Sequence, residues 1–172
     1  MTEFAQEPTS TGLGVDIVEI ERMEKILTRS PRFAHRVFSD AERAYCEAHH
    51  RPAVRYATHF AAKEAVLKAL GTGFSQGIGY TDVEVSHDKN GKPYSILHGR
   101  AREIADELAI IEIPLSLSRT NETAVANAIA VTAKARPIVE EKEITPAQEL
   151  AMRFRELRSM LDDLEESIGE EE

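Results

Sequence analysis

The stretch FAAKEAVLKALGTG, residues 60–73, carries a carboxylate and an ammonium at helical spacing. Glu64 and Lys68 are four positions apart, so on a helix they share one stripe with the apolar Phe60 and Leu67. As an exposed pair, they would stabilise the helix by about 0.2–0.5 kcal/mol. Alternatively, the stripe is partly buried and Glu64 faces a cation, because a buried carboxylate without a partner costs several kcal/mol. The second interpretation predicts a metal ion or an arginine beside Glu64.

Asp16 is a second carboxylate of interest, because it comes at the end of an apolar strand. Strand alternation places it on the face opposite Val15 and Ile17, with Gly14 beside it. It is either a solvated strand end, a cap for the next helix, or a second ligand for the cation at Glu64. Two carboxylates that leave positions for phosphate oxygens and water suit Mg²⁺. One cysteine and scattered histidines give no spacing for a softer metal.

The predicted helix ends in Gly71, Thr72 and Gly73. Glycines allow backbone amides to approach an anion closely, but they are also the commonest way to end a helix. Phosphate binding that uses the helix dipole occurs at the N-terminus, which is the other end. If this loop binds phosphate, Lys68 must therefore supply the positive charge.

A basic face is expected on the first helix. Arg22, Ile26 and Arg29 lie on one stripe, and Arg32 follows just beyond it. The face is either a solvated surface with scattered ion pairs or a docking surface for an acidic helix, since arginine clusters steer and orient acidic partners.

The elements that must position these residues follow from periodicity and from start and stop signals. A strand over GLGVDIVEI leads into a helix that ends near Thr28. Ser39 and Glu42 form a capping box for a second helix, and Pro52 begins a third that runs to about Leu70. Asn90-Gly91 predicts a β-hairpin, which a short amphipathic helix and two further strands follow. This order predicts an α+β domain with a mostly antiparallel sheet packed on helices.

Composition excludes several classes of protein. A net charge of −9 argues against non-specific binding of nucleic acid. No run of 18 apolar residues is present, so no membrane span is expected. The first residues lack the pattern of a secretion signal, and the single Cys46 cannot form an internal disulfide. These features favour a cytoplasmic protein.

Charge and periodicity also predict the organisation of the chain. We expect a flexible leader at 1–11, a domain at 12–133, a linker at 134–145, an amphipathic helix at 146–168 and an acidic end at 169–172. That helix either packs on its own domain or joins other copies in a short coiled coil. Its apolar residues have heptad spacing: Leu150, Phe154, Leu157, Leu161, Leu164 and Ile168.

Taken together and in order, five stretches resemble the holo-acyl-carrier-protein synthases, which are 4'-phosphopantetheinyl transferases. They are GLGVDIVEIERM, RFAHRVFSDAERAYC, FAAKEAVLKALGTG, DVEVSHDKNGKPY and LSLSRTNETAVANAIAV, and they span residues 12 to about 133. The resemblance implies a homotrimer with active sites between subunits. It also implies coenzyme A as donor, Mg²⁺ as cofactor and a serine of apo acyl carrier protein as acceptor, in fatty acid biosynthesis.

The resemblance also implies roles for individual residues. Asp16 and Glu64 match the metal ligands of the family, and Glu64, directly or through a metal-bound water, would take the proton of the carrier serine. Lys68 and the segment Gly71–Gly73 match the region next to the CoA phosphates. Four residues fall where the family docks the acidic helix of the carrier protein: Arg22, Ile26, Arg29 and Arg32.

Two positions depart from the family pattern. Arg119 replaces a histidine near the nucleotide in SLSRT, and His59 replaces the usual arginine before FAAKEA. Arg119 can pair bidentately with a phosphate at any pH, but it cannot act as a base. Either the two positions have exchanged their charge and both still bind CoA, or the protein is a catalytically weakened module that binds carrier protein.

Overall fold

The computed structural model describes residues 11–135. In chain order its elements are β1 (Thr11–Glu19), α1 (Ile20–Arg29), α2 (Arg32–Val37), α3 (Asp40–Glu47), α4 (Pro52–Ala69), β2 (Val83–His87), β3 (Pro93–Leu97), α5 (Gly99–Glu107), β4 (Ile110–Glu112), β5 (Leu115–Arg119) and β6 (Thr123–Thr132). A 3₁₀ turn at Tyr80–Asp82 precedes β2, and another at Ala133–Ala135 follows β6.

Within the described residues the strands form two antiparallel sheets. In the larger sheet β6 pairs with β1 along its whole length and also with β4 and β5. The smaller sheet is the β2–β3 hairpin. The predicted α+β class with antiparallel pairing is therefore confirmed. The predicted C-terminal helix and acidic end, and nearly all of the leader and the linker, lie outside the described residues, so the predicted domain boundaries stay predictions.

Small residues allow α4 to pack directly on β1. A Cβ atom placed on Gly14 would lie 1.8 Å from the backbone oxygen of Ala65, so only glycine permits this approach. Asp16 shares this face of the strand, which brings its side chain to the helix. The opposite face presents Leu13 and Ile17, which are 70% and 63% exposed. The chemistry-bearing face of β1 is thus the buried one.

Two apolar clusters hold α4 in place. One lies between the alanine-rich side of α4, the large sheet and α5, and the other lies between α4 and helices α1–α3. No helix in the part of the chain described here is both long and apolar enough to span a bilayer.

The helix signals in the sequence were accurate. Ser39 Oγ accepts from Glu42 N at 3.2 Å, and Glu42 Oε2 accepts from Ser39 N at 2.9 Å, which is the predicted capping box. Helix α4 begins at Pro52 and ends at Ala69. Two short elements, α2 and β4, were not predicted, because six and three residues are too few to show a periodicity.

Candidate active site

Asp16 and Lys68 form an ion pair between β1 and α4. Lys68 Nζ lies 2.7 Å from Asp16 Oδ1 and also donates to the backbone oxygen of Val15 at 3.0 Å. The Asp16 side chain is only 15% exposed, whereas that of Lys68 is 47% exposed. Lys68 therefore pairs with Asp16 and not with Glu64, the partner that helical spacing allowed.

Glu64 lies half-buried on the same side of α4, one turn before Lys68. Burial raises the pKa of Glu64 above its usual value, the negative charge of Asp16 raises it further, and Lys68 opposes both. The two carboxylates therefore act on each other, and one ammonium compensates them only in part. This is the electrostatic setting in which a divalent cation would be favourable.

The donor set fits a hard cation better than a soft one. In residues 11–135 no three acidic, histidine or cysteine side chains cluster tightly enough to enclose a metal by themselves. Asp16 and Glu64 would offer two carboxylates and leave the remaining positions to water or to a phosphorylated ligand, which is how Mg²⁺ is usually held. These are the residues that could hold a metal.

The glycine loop after α4 is a helix stop in this structure. The amides of Thr72 and Gly73 both donate to the backbone oxygen of Leu67, at 3.0 and 3.3 Å. The amide of Gly71 donates to the backbone oxygen of Lys68. Gly71 and Gly73 have φ values of 76° and 57°, which only glycine adopts without strain. Because these three amides are engaged, the positive charge next to the loop comes from Lys68.

A cation-rich cavity of about 350 Å³ lies on another side of α4. Arg55 and His59 from α4, His87 at the end of β2 and Arg119 at the end of β5 line it, together with Tyr45 from α3. The other lining residues carry no carboxylate: Thr58, Gly91, Pro93, Leu117 and Ser118. Such a lining suits an anion, because four nitrogen-bearing side chains converge on one space.

Aromatic stacking orders this cavity. The Tyr45 ring lies against His87 at 4.5 Å and against His59 at 5.2 Å, and the Arg55 guanidinium is 5.9 Å from the Tyr45 ring centroid. Burial lowers the pKa of His87, and the neighbouring His59 and Arg55 lower it further. The cavity thus holds the positive charge of two arginines and disfavours a further cation, so an anionic ligand would suit it.

His59 is an unusual buried histidine. Its side chain is 1% exposed, and Nδ1 lies 3.5 Å from Glu42 Oε1 without the alignment of a hydrogen bond. Within the described residues neither ring nitrogen has a hydrogen-bond partner. Buried polar groups nearly always have a hydrogen bond, so a buried imidazole that has only the Glu42 carboxylate near one nitrogen leaves Nε2 open to a ligand in this cavity.

The predicted CoA-binding residues therefore fall into two groups. Arg119 and His59, the two departures from the family pattern, lie together in the cavity. Lys68 lies beside Asp16. His59 and Glu64 are five positions apart on α4, which separates them by about 140° around the helix axis. One copy of the chain thus presents the two groups on different faces of α4.

Sequence reasoning missed Arg55 and His87 as lining residues. Arg55 is four positions before His59, so helical spacing could have placed both on one face. His87 enters from β2, and no local pattern could have shown that this strand end meets α4.

Three of the four predicted docking residues are exposed on the surface. Arg22 and Arg29 on α1 and Arg32 at the start of α2 are exposed, and Ile26 is partly buried between them. No carboxylate within 4.0 Å pairs with any of these three arginines in the described part of the chain. The face is therefore available to an acidic partner.

The chain is similar to proteins of one family. Residues 12–128 match the model of the 4'-phosphopantetheinyl transferase superfamily. The holo-[acyl-carrier-protein] synthase of Moorella thermoacetica is 48% identical over 116 residues, which cover 67% of this chain and 90% of that protein. The chain therefore belongs to the 4'-phosphopantetheinyl transferase superfamily, and the resemblance read from its motifs is confirmed.

Solved structures agree with this assignment. Plasmodium yoelii acyl carrier protein synthase with ADP bound has a TM-score of 0.65 at 34% identity, over 73% of this chain and 99% of that chain. A holo-(acyl-carrier-protein) synthase of Bacillus anthracis in complex with CoA (3',5'-ADP) has a TM-score of 0.59 at 34% identity, over 71% and 96%.

Proposed function

We propose that this protein transfers 4'-phosphopantetheine from coenzyme A to a serine of apo acyl carrier protein, releases 3',5'-ADP and serves fatty acid biosynthesis. The observation that carries the proposal is the arrangement of Asp16, Glu64 and Lys68 between β1 and α4 in a chain of this family.

The proposed location is the cytoplasm. The single Cys46 is a buried free thiol, and burial first and Glu42 second raise its pKa to about 12, which suits a protein of the cytoplasm.

The reaction is a displacement at phosphorus. The hydroxyl oxygen of the carrier serine bonds to the phosphorus that bears pantetheine, and the bond from that phosphorus to 3',5'-ADP breaks. Lys68, whose half-exposed ammonium lies beside Asp16, is proposed to bind the pyrophosphate of CoA. Glu64, whose pKa is raised by burial and then by Asp16, accepts the serine proton directly or through a water.

Asp16 and Glu64 are the residues that would hold Mg²⁺. When bound, Mg²⁺ neutralises negative charge on the pyrophosphate and on the phosphoryl group in transfer. Without Mg²⁺, the two carboxylates would face the negatively charged pyrophosphate with only Lys68 to offset the repulsion. That arrangement is electrostatically unfavourable.

The cavity of Arg55, His59, His87 and Arg119 is proposed to hold the nucleotide end of CoA through its phosphate. Two arginines that no carboxylate in the lining neutralises, and a buried imidazole without a hydrogen bond, support this role. In the charge-exchange hypothesis, Arg119 supplies the permanent charge and His59 a ring nitrogen in the same space.

A homotrimer with sites between subunits is the proposed assembly. The outer face of the large sheet exposes Leu13, Val15, Ile17 and Ile129, with exposed fractions from 42% to 70%. A contiguous apolar sheet face of this kind is typical of a protein interface. Because one copy presents its two CoA groups on different faces of α4, an assembly would allow one CoA to use the cavity of one copy and the carboxylates of the next.

The basic face of Arg22, Ile26, Arg29 and Arg32 is the proposed docking surface for the acidic carrier protein. Three exposed arginines around a partly buried isoleucine would combine electrostatic steering with a small apolar contact.

The proposed function is tested by mixing the protein with CoA, Mg²⁺ and apo acyl carrier protein and measuring the carrier by mass spectrometry. We expect the carrier mass to rise by one phosphopantetheine arm, with 3',5'-ADP released. The alternative, a weakened module that only binds carrier protein, is favoured by Arg119 and His59 in place of the family residues. It predicts a stable complex with the carrier and no change of mass.

A further inference from the structure

A fully buried ion pair lies directly beside the candidate active site. Lys63 Nζ is 2.8 Å from Glu42 Oε2, and both side chains are completely buried. Lys63 also donates to the backbone oxygens of Val83 and of Tyr80, the latter at 3.2 Å. The three donors of its ammonium are therefore all used.

Glu42 is as fully engaged as its partner. Oε1 accepts from the Val85 amide at 3.1 Å, and Oε2 accepts from the Ser39 amide at 2.9 Å. Burial alone would raise the pKa of Glu42, but His59 and Lys63 bring it below the usual value, so the carboxylate stays ionised. The pair thus joins the start of α3, the middle of α4 and the first residues of β2.

This pair is costly to keep for stability alone. Taking two charges out of water carries a penalty that their attraction often only balances, and well-packed apolar residues can replace such pairs without loss. Its position in the chain gives it a second role. Lys63 immediately precedes Glu64 and is four positions after His59, so fixing Lys63 fixes the rotation of α4 about its axis.

The same lysine closes the loop between α4 and β2. That loop leaves α4 at Gly71 and returns at Tyr80, whose oxygen Lys63 binds. In between, Phe74 packs against Tyr80 at 4.5 Å and against Phe60 at 6.4 Å. The loop is therefore tied to α4 at both ends, beside the stripe that carries Glu64 and Lys68.

We propose that Glu42 and Lys63 are positioning residues of the transferase site, which aim Glu64 and His59 and hold the loop of residues 71–79. The proposal rests on the proposed function for its activity readout. A second readout, hydrogen–deuterium exchange in residues 71–85, tests the positioning role independently of the proposed function.

The test separates positioning from stability. Lys63→Met alone leaves a buried charge and is expected to unfold readily, whereas the double variant Glu42→Gln/Lys63→Met removes both charges and is expected to keep a melting temperature near that of the wild type. In this double variant we expect kcat/KM for transfer to fall about 10- to 100-fold. We also expect faster exchange in residues 71–85, with unchanged exchange in β6. The matched control is Arg102→Met/Asp106→Asn, which removes an exposed ion pair on α5 whose nitrogen and oxygen are 2.8 Å apart. It should change neither kcat/KM nor the exchange in residues 71–85.

A double variant with wild-type kcat/KM and wild-type exchange in residues 71–85 would overturn the proposal. If the double variant does not fold, Glu42→Asp decides by the same two readouts, because it keeps both charges and only shortens the side chain that holds Lys63. If the wild type itself transfers no phosphopantetheine, the proposed function fails, and the exchange data alone decide the positioning role.

Discussion

Among single residues, the two carboxylates Asp16 and Glu64 are the proposed ligands of the cation. We predict that Asp16→Ala and Glu64→Ala each lower the transfer rate by roughly 100- to 10,000-fold, because either change removes half of the protein's cation ligands. Steady-state transfer rates at saturating CoA and Mg²⁺, with circular dichroism of each variant, check this. Glu103→Ala, an exposed acid on α5, is the control. Near-normal turnover by a folded Asp16 or Glu64 variant would refute the metal assignment.

The raised pKa of Glu64 predicts a stability effect in metal-free protein. Its pKa is higher in the folded state than the usual 4.5, so folding favours the protonated carboxyl. The stability this contributes is fully present below about pH 4.5 and is lost as pH rises through the folded-state value. Glu64→Gln should therefore raise the melting temperature at pH 7.5 by on the order of 1–2 °C, a small effect because solvent screens the half-buried Glu64. The difference in melting temperature between the variant and the wild type should shrink towards pH 4.5.

The same variant distinguishes a cation site from simple charge repulsion. Adding Mg²⁺ should raise the melting temperature of the wild type, since a ligand that binds only the folded state stabilises it. The rise should be much smaller in Glu64→Gln. Thermal scans with and without Mg²⁺ measure both effects, and equal shifts in the two proteins would show that Glu64 is not a ligand.

Residue types predicted the chemistry better than they predicted the pairings. Glu64 and Lys68 were identifiable because they share a stripe with apolar residues, and Asp16 because it ends an apolar strand. That Lys68 would pair with Asp16 could not be derived, because the two are 52 positions apart and local spacing favoured Glu64. The buried pair of Glu42 and Lys63 was missed for the same reason, since Glu42 was read only as a helix cap.

At the scale of elements, α1 carries the proposed docking surface. We predict that Arg22→Glu/Arg29→Glu raises KM for the carrier protein at least tenfold and leaves KM for CoA within about twofold, because only the acidic partner is repelled. Carrier affinity of the wild type should also fall as salt rises, since exposed charges are screened within about 8–10 Å at 0.10–0.15 M salt. Arg102→Glu/Lys134→Glu reverses two exposed charges outside α1 and is the control. Equal loss of affinity for both substrates would contradict a docking role.

Elements with a chemical start signal were predictable, and short ones were not. Ser39 with Glu42 and Pro52 gave the beginnings of α3 and α4 because caps act within one turn. Helix α2 and strand β4 lack such signals and owe their form to neighbours: Phe33 of α2 packs on Phe38 and Phe60, and β4 pairs with the end of β6. Tertiary contacts of that kind are invisible in a local window.

At the scale of the whole molecule, the open question is what covers the large sheet. We predict that Leu13→Glu/Ile17→Glu converts a trimer into monomers, because two added charges per copy cannot be buried unpaired in the interface. Loss of transfer activity should accompany this, since the proposed site needs two copies. Sedimentation velocity and the transfer assay measure both. Leu108→Glu, at a residue 47% exposed near the end of α5, is the control. A wild-type monomer with full activity would rule out a site between subunits.

The family motifs predicted the architecture of the domain, because their order fixes which strand precedes which helix. They did not predict the cavity, whose lining comes from α3, α4, β2 and β5 and exists only once these elements pack. The meeting of His59 with Arg119 was expected only from the family pattern, through the charge-exchange hypothesis, and the fold brings both to one space.

The central claim is that this chain moves phosphopantetheine from CoA to a carrier serine, and the most direct measurement follows both products together. Apo acyl carrier protein, CoA and Mg²⁺ are incubated with a catalytic amount of the protein, and intact carrier mass and 3',5'-ADP are quantified over time. We predict that both rise in a one-to-one ratio over many turnovers, and that a carrier lacking the acceptor serine gives neither. A carrier that binds the protein yet keeps its apo mass, with no 3',5'-ADP formed, would contradict the account.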